Sequence, residues 1–116
     1  MRKKYLIIKQ CVNEIKDTND IVIAGDYNQS MESKEISKFH EGIGVCDIQH
    51  KRNNIEKVEL DKTKINGSAP IDSIAASHGV MEHVEGCKLV DNNEIVFSDH
   101  RAHIVDVAME DYFRNS

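Results

Sequence analysis

An α/β fold is what the sequence predicts, on three observations: β-branched apolar runs of strand length, amphipathic stretches at helical spacing, and turn-forming clusters between the two. With 116 residues there is room for one domain and one modest core. The composition, 40% hydrophobic and 30% charged with a single proline, is that of an ordinary globular chain and gives no sign of disorder.

Taken in order, residues 4–16 place Ile8, Cys11, Val12 and Ile15 at spacings of three and four, the stripe of an amphipathic helix. "DTND" at 17–20 is a turn. "IVIA" at 21–24 is β-branched and does not alternate with polar residues, so it predicts a buried strand covered on both sides. Residues 30–43 predict a helix capped by Ser30 or Ser33, with Glu32 and Glu35 in its first turns and an inward stripe of Ile36 with Phe39 or Ile43. "VCDI" is a brief strand. "NIEKVEL" at 54–60 alternates imperfectly and reads as an exposed or edge segment, and "NGSAP" at 66–70 is the clearest turn. "IDSIAA" at 71–76 is a strand with one acid, Asp72, near its start. In "GVMEHVEGCKLVDNN", Val80, His83 or Val84, and Cys87 fall within reach of helical turns, with Gly86 limiting the length. Residues 95–97 and 103–108 complete the pattern as two further strands. The total is about four or five strands and two or three helices. A sheet with helices on one side has a second apolar face, which needs another sheet or another chain.

Fifteen basic against 20 acidic residues give a formal charge of -5, which offers no general attraction to a polyanion. A nucleic-acid substrate would need a local basic patch or bound cations. The basic residues gather at Arg2, Lys3 and Lys4, and again from Lys51 and Arg52 through Lys57, Lys62 and Lys64, both readable as solvated faces. No early run has the length of a signal sequence and no stretch approaches a membrane span, so an intracellular location, cytoplasmic or nuclear, and no membrane partner are expected. Cys11, Cys46 and Cys87 are odd in number and widely spaced, which predicts three buried thiols rather than a disulfide scaffold or a zinc knot.

Three stretches carry chemistry. In "GDYN", the glycine lets the backbone turn or a ligand approach closely, and on an extended segment Asp26 and Asn28 point the same way. Such a pair suits a nucleophilic water, oriented by the carboxylate, and a phosphate oxygen, met by the amide. An Asp and an Asn after a strand also form an ordinary Asx-turn. A calcium loop starting at Asp26 fails, because Met31 stands where a glycine is needed and Ser37 where a glutamate is needed. In "SDHR", Asp99 can supply a hard oxygen ligand for Mg²⁺ and His100 a general base. Asp72, on an apolar strand, needs a partner if buried. Pairing with His100 would orient the imidazole. His40, His50, His78, His83 and His103 lack ligand-like spacing and read as surface or core residues.

Taken together, "VIAGDYNQ", "GSAPIDSIAAS" and "VFSDHRAHIVDV", in this order, resemble the carboxyl-terminal half of the endonuclease/exonuclease/phosphatase superfamily, the DNase I-like metal-dependent phosphodiesterases, and are most similar to retroelement-type members. The likeness spans residues 21–112. It implies half of a four-layer α-β-β-α sandwich, a mixed sheet with helices on one face, in which the strands at 21–24, 71–76 and 103–108 share one sheet. It also implies that Asp26 and Asn28 position the nucleophile and contact the scissile phosphate, that Asp99 lies near the metal, that His100 is the active-site histidine, and that Asp72 has a catalytic or structural part.

The family's amino-terminal half, with the principal glutamate ligand for Mg²⁺, has no counterpart before residue 21. The expectation is therefore a single partial domain over residues 1–116: a divalent-metal-dependent phosphodiesterase, nuclease-like, that needs a complementing chain or a second copy of itself. It would hold Mg²⁺ or Mn²⁺ weakly when isolated. The alternative is a non-catalytic remnant or interaction module of the same fold.

Overall fold

The computed structural model of the chain describes residues 2–56, 70–90, 100–101 and 103–114. Helix α1, Lys3–Ile15, buries Tyr5 and Val12 and half-buries Ile8, a stripe spaced by three and four residues. The stripe expected from sequence is thereby rotated: Cys11 is exposed and Ile15 is 48% exposed, because the bulky Tyr5 ring takes the contact with the core and sets which face of the helix turns inward. Tyr5 stacks on Phe39 with ring centroids 4.8 Å apart.

Helix α2, Lys34–Ile43, supplies Ile36, Phe39 and Ile43, all buried, as its stripe predicts. Of the two expected caps it uses Ser33, whose hydroxyl accepts the Ile36 N–H at 3.3 Å. It ends at Gly44, whose φ of 75° is the left-handed conformation that a helix C-terminus commonly requires.

Strand β1, Val22–Asp26, pairs antiparallel with β3, Asp72–Ser77, and β2, Val45–Asp47, pairs antiparallel with the other side of β3, so the order is β1-β3-β2. Helix α3, Ile48–Glu56, follows β2 directly. Its first turn is capped by Asp47, which accepts the His50 N–H at 2.7 Å. The "NIEKVEL" expectation is thus replaced by helix up to Glu56, and its remainder, like the "NGS" of the expected turn and the strand at 95–97, lies outside the described residues.

A four-residue helix α4, His78–Met81, leads into strand β4, Val84–Leu89, where helical spacing was expected. Gly86 and the β-bulge beside it suit a strand and oppose a helix. β4 pairs antiparallel with β5, His103–Val107, in a separate two-stranded sheet. The strand at 103–108 therefore does not join β1 and β3 as expected: both sides of β3 are already occupied, and β5 finds its partner in β4. The described pairings are all antiparallel, so the expected mixed sheet is not seen among them. Helix α5, Met109–Arg114, returns to the start of β1, where the Tyr112 hydroxyl donates to Asp20 at 2.6 Å.

Two further expectations change. β1 is not buried on both sides: Val22 is 56% exposed and only Ile23 is half-buried, because β1 stands at the edge of its sheet among the described residues. The thiols are not buried either: Cys11 and Cys46 are exposed and Cys87 is half-buried, its Sγ 3.1 Å from Gln49 Oε1. Among the described residues no helix is long and apolar enough to cross a membrane. What the fold establishes is a small α/β arrangement of antiparallel sheets and helices.

Candidate functional site

The register of β1 on β3 puts Asp26 directly opposite Asp72. Side chains alternate along each strand, so both carboxylates share one face while Tyr27 and Ser73 turn to the other. The helices cover the second face: Tyr27 is 6% and Ser73 3% exposed. The first face receives His100. Its Nδ1 lies 2.6 Å from Asp72 Oδ2 and its Nε2 3.7 Å from Asp26 Oδ2. Side-chain exposure falls from 37% at Asp26 through 27% at His100 to 16% at Asp72. The ligand atoms of the three all lie within 4.8 Å of one another.

A carboxylate only accepts hydrogen bonds, so the short contact to Asp72 places a proton on Nδ1 of the imidazole. A neutral ring then turns the lone pair of Nε2 toward a carboxylate oxygen of Asp26. Two acceptors facing each other at 3.7 Å repel unless a proton or a cation lies between them. Two carboxylates and one imidazole so placed form a group that could hold a metal ion.

Of the residues singled out in sequence, Asp26, Asp72 and His100 come together. Asp72 sits on the central strand β3, not on an edge. Asn28 does not converge with Asp26 through its side chain. Its φ of 51° ends the extended segment, and its backbone N–H donates to Asp26 Oδ1 at 2.8 Å, an Asx-turn. This bond orients the carboxylate, and Asn28 itself is exposed. Asp99 lies outside the described residues.

Beneath the site is a buried polar group that spacing alone did not single out. Tyr27 Oη and His40 Nε2 are 3.0 Å apart, and the Ser73 hydroxyl donates to the Asp47 carboxylate, which also caps α3. Burial, aided by the nearby Asp47 charge and Tyr5, pushes the Tyr27 phenol up to about 12, against the opposing bond to Ser73. Burial also lowers His40, opposed by Asp47. It lowers His103 in the same way, opposed by Asp47 and Asp72 and assisted by Arg101. The signal in the sequence was Ser73, between Asp72 and the apolar run Ile74 to Ala76, since a hydroxyl at a core-facing position needs a partner.

The loop carrying Asn28 is fixed from α1 and α2. Gln29 accepts from the Tyr5 hydroxyl at 2.9 Å and donates to Glu35 at 2.8 Å, which lowers the Glu35 carboxyl chiefly through that bond. Lys4 Nζ donates to the Tyr27 carbonyl at 3.2 Å. No protein-family description matches this chain, and no curated protein matches it.

Proposed function

We propose that the chain carries part of a divalent-metal-dependent phosphodiesterase site, nuclease-like in its chemistry, that works when a partner completes it. The observation that carries this reading is the meeting of Asp26 and His100 Nε2 at 3.7 Å with Asp72 behind the imidazole. That arrangement supports a base held by a carboxylate and aimed at a cation-binding acid.

In this reading Asp72 fixes the ring and stabilises its charged form. Nε2 takes or gives the proton at the reacting oxygen. Asp26, oriented by the Asn28 amide, and Asp99 hold Mg²⁺ or Mn²⁺, and Asp26 also orients the attacking water. Asn28 contacts the phosphate. The ion supplies charge compensation for the phosphate oxygens. With few protein carboxylates it is weakly held, so the isolated chain turns over little or no substrate. The resemblance of "GDYN", "ID" and "SDHR" to the DNase I-like superfamily supports the same class and the half-sandwich architecture, with a nucleic acid or another phosphodiester as substrate.

Cleavage of DNA, RNA and a small phosphodiester with Mn²⁺ or Mg²⁺, run beside Asp26→Asn and His100→Ala, tests this. Background rates are expected from all three proteins alone. A rise on adding a completing chain should occur for the wild type and not for either variant. Robust turnover by the isolated chain that both substitutions leave intact would refute the assignment.

A further inference from the structure

The run "IVIAG" has the composition of a strand covered by neighbours, yet β1 stands at the sheet edge with Val22, Ala24 and Gly25 exposed. Its backbone shows which side is open. The Tyr27 N–H donates to the Ile71 carbonyl and the Ser77 N–H to the Ile21 carbonyl, so the odd-numbered residues bond toward β3. Val22, Ala24 and Asp26 therefore aim their N–H and C=O groups outward, where no strand pairs with them among the described residues. Edge strands are usually blunted by a charge or a proline; β1 has no proline, and its one charge, Asp26, stands at its last residue.

Gly25 sharpens the point. Its φ is not in the left-handed region, and a Cβ built on it meets no heavy atom of the described residues within 4 Å. Among the described residues, neither backbone conformation nor packing requires a glycine there. The space beside it belongs to a cavity of about 220 Å³ between α1 and β1, lined by Tyr5, Ile8, Ile23 and Phe39 with Lys4 among its walls. A glycine in a strand with room at its side marks close approach from outside.

We propose that the outer edge of β1 binds a second copy of this chain, the two β1 strands pairing antiparallel about Ala24 and joining the two three-stranded sheets into one. In that register Val22 and Asp26 exchange backbone bonds with Asp26 and Val22 of the other copy. Ile23 then lies opposite Gly25 in a closely spaced pair on the helix-covered face, and each isoleucine fills the room left by the facing glycine. That reciprocal fit favours a second copy over an unrelated strand, because a twofold contact must complement itself. The two Asp26 carboxylates stay about 13 Å apart by strand rise, so they do not repel at contact distance. The inference goes beyond the proposed function and does not depend on it, since the pairing needs no metal.

Sedimentation equilibrium from about 5 to 200 μM, where mass action reports self-association, is the test. The wild type is expected to move toward twice 13.2 kDa, with the Val22, Ala24 and Asp26 amides protected from hydrogen exchange only at high concentration. Ala24→Pro removes the central outward N–H, which β3 does not use, and Gly25→Val occupies the cavity. Each should weaken the dimer by about tenfold or more while circular dichroism stays that of the wild type. A wild type that remains monomeric at the top of the range, or a dimer whose edge amides exchange freely, overturns the proposal whatever the variants do. A monomer that protects those amides on binding a different protein's strand would overturn it in favour of that occupant. Folded variants that associate like the wild type would also overturn it.

Discussion

On the helix-covered face of the β1–β3 sheet, Tyr27, His40 and Ser73 are buried among apolar residues, Tyr27 bonded to His40 and Ser73 to the half-buried Asp47. One residue away on the same two strands, Asp26 and Asp72 meet His100 on a face that stays partly open to water. The two clusters share their strand ends and differ in burial. In the covered cluster, polar atoms spend their hydrogen bonds on neighbours and contribute stability, because an unmade bond there costs the full desolvation of its group. In the open cluster, Asp26 and the imidazole face each other across a gap that suits a proton or an ion. Stability should therefore depend on the first group and ligand binding on the second.

The largest effect expected is at Asp47. Its loss in Asp47→Ala strands the Ser73 hydroxyl and uncaps α3, which should lower the unfolding free energy by about 2–4 kcal/mol in urea titration. Tyr27→Phe deletes one hydroxyl from the same group and keeps the ring against Phe39, so a smaller loss of about 1–3 kcal/mol is expected. Either variant unfolding at the wild-type urea midpoint would erase the contrast between the clusters.

Acidity sharpens the same contrast. Burial lowers His40 and His103 below the ordinary imidazole value of 6.5, so the unfolded chain binds more protons than the folded one once the pH falls through that value. The stability of the neutral, desolvated rings is fully present above about pH 7 and is lost progressively as the pH drops toward their folded values. Asp20 is held low by the Tyr112 and Ser77 hydroxyls and Glu35 by Gln29, so both keep their charge across this window. Thermal melts at pH 7.5 and 5.5 should show the lower midpoint at pH 5.5, and equal midpoints would contradict the desolvation of the buried His40 and the half-buried His103.

The smallest expected effect on stability is at the open cluster. Asp26→Asn keeps the shape, removes a charge from an exposed position, and should change the unfolding free energy by no more than about 0.5 kcal/mol. A loss as large as that at Asp47 would make Asp26 a structural residue.

How much of this was legible in the sequence depended on the range of the information. The stripe of α2 and its cap at Ser33 are local, and the residues at 36, 39 and 43 announce them. The stripe of α1 was misplaced because counting aliphatic residues passed over Tyr5, whose ring makes the larger contact. In α3 the run "IQHKRNNIE" has too few apolar residues to signal a helix, and its start rests on the Asp47 cap instead. The apolar run of β1 showed a strand but not its neighbours, since pairing order is set by residues fifty positions away and by whatever covers the edge. Gly86 hid β4 by interrupting any period, while the bulge it sits beside is a strand feature. As for the site, Asp26, Asp72 and His100 belong to three separate segments and no spacing links them. Their grouping was suggested by the order of the motifs, and only the antiparallel register of β1 on β3 gives it a geometry. The left-handed turn at Asn28, by contrast, was open to either reading, because an Asn after a strand end adopts it as readily as it extends.

In the proposed reading Asp26 is a cation ligand beside the His100 base, and Mn²⁺ binding measured by electron paramagnetic resonance at pH 7.5 tests this most directly. The wild-type chain should bind one Mn²⁺ per chain weakly, with a dissociation constant on the order of 0.1–1 mM, as expected for an ion held by few carboxylates. Asp26→Asn should weaken that binding by about tenfold or more, and His100→Ala, which removes a base and not a ligand, by no more than about threefold, both with the fold intact. Binding of equal strength in the wild type and Asp26→Asn, or no binding by the wild type up to about ten times that range, would contradict the account.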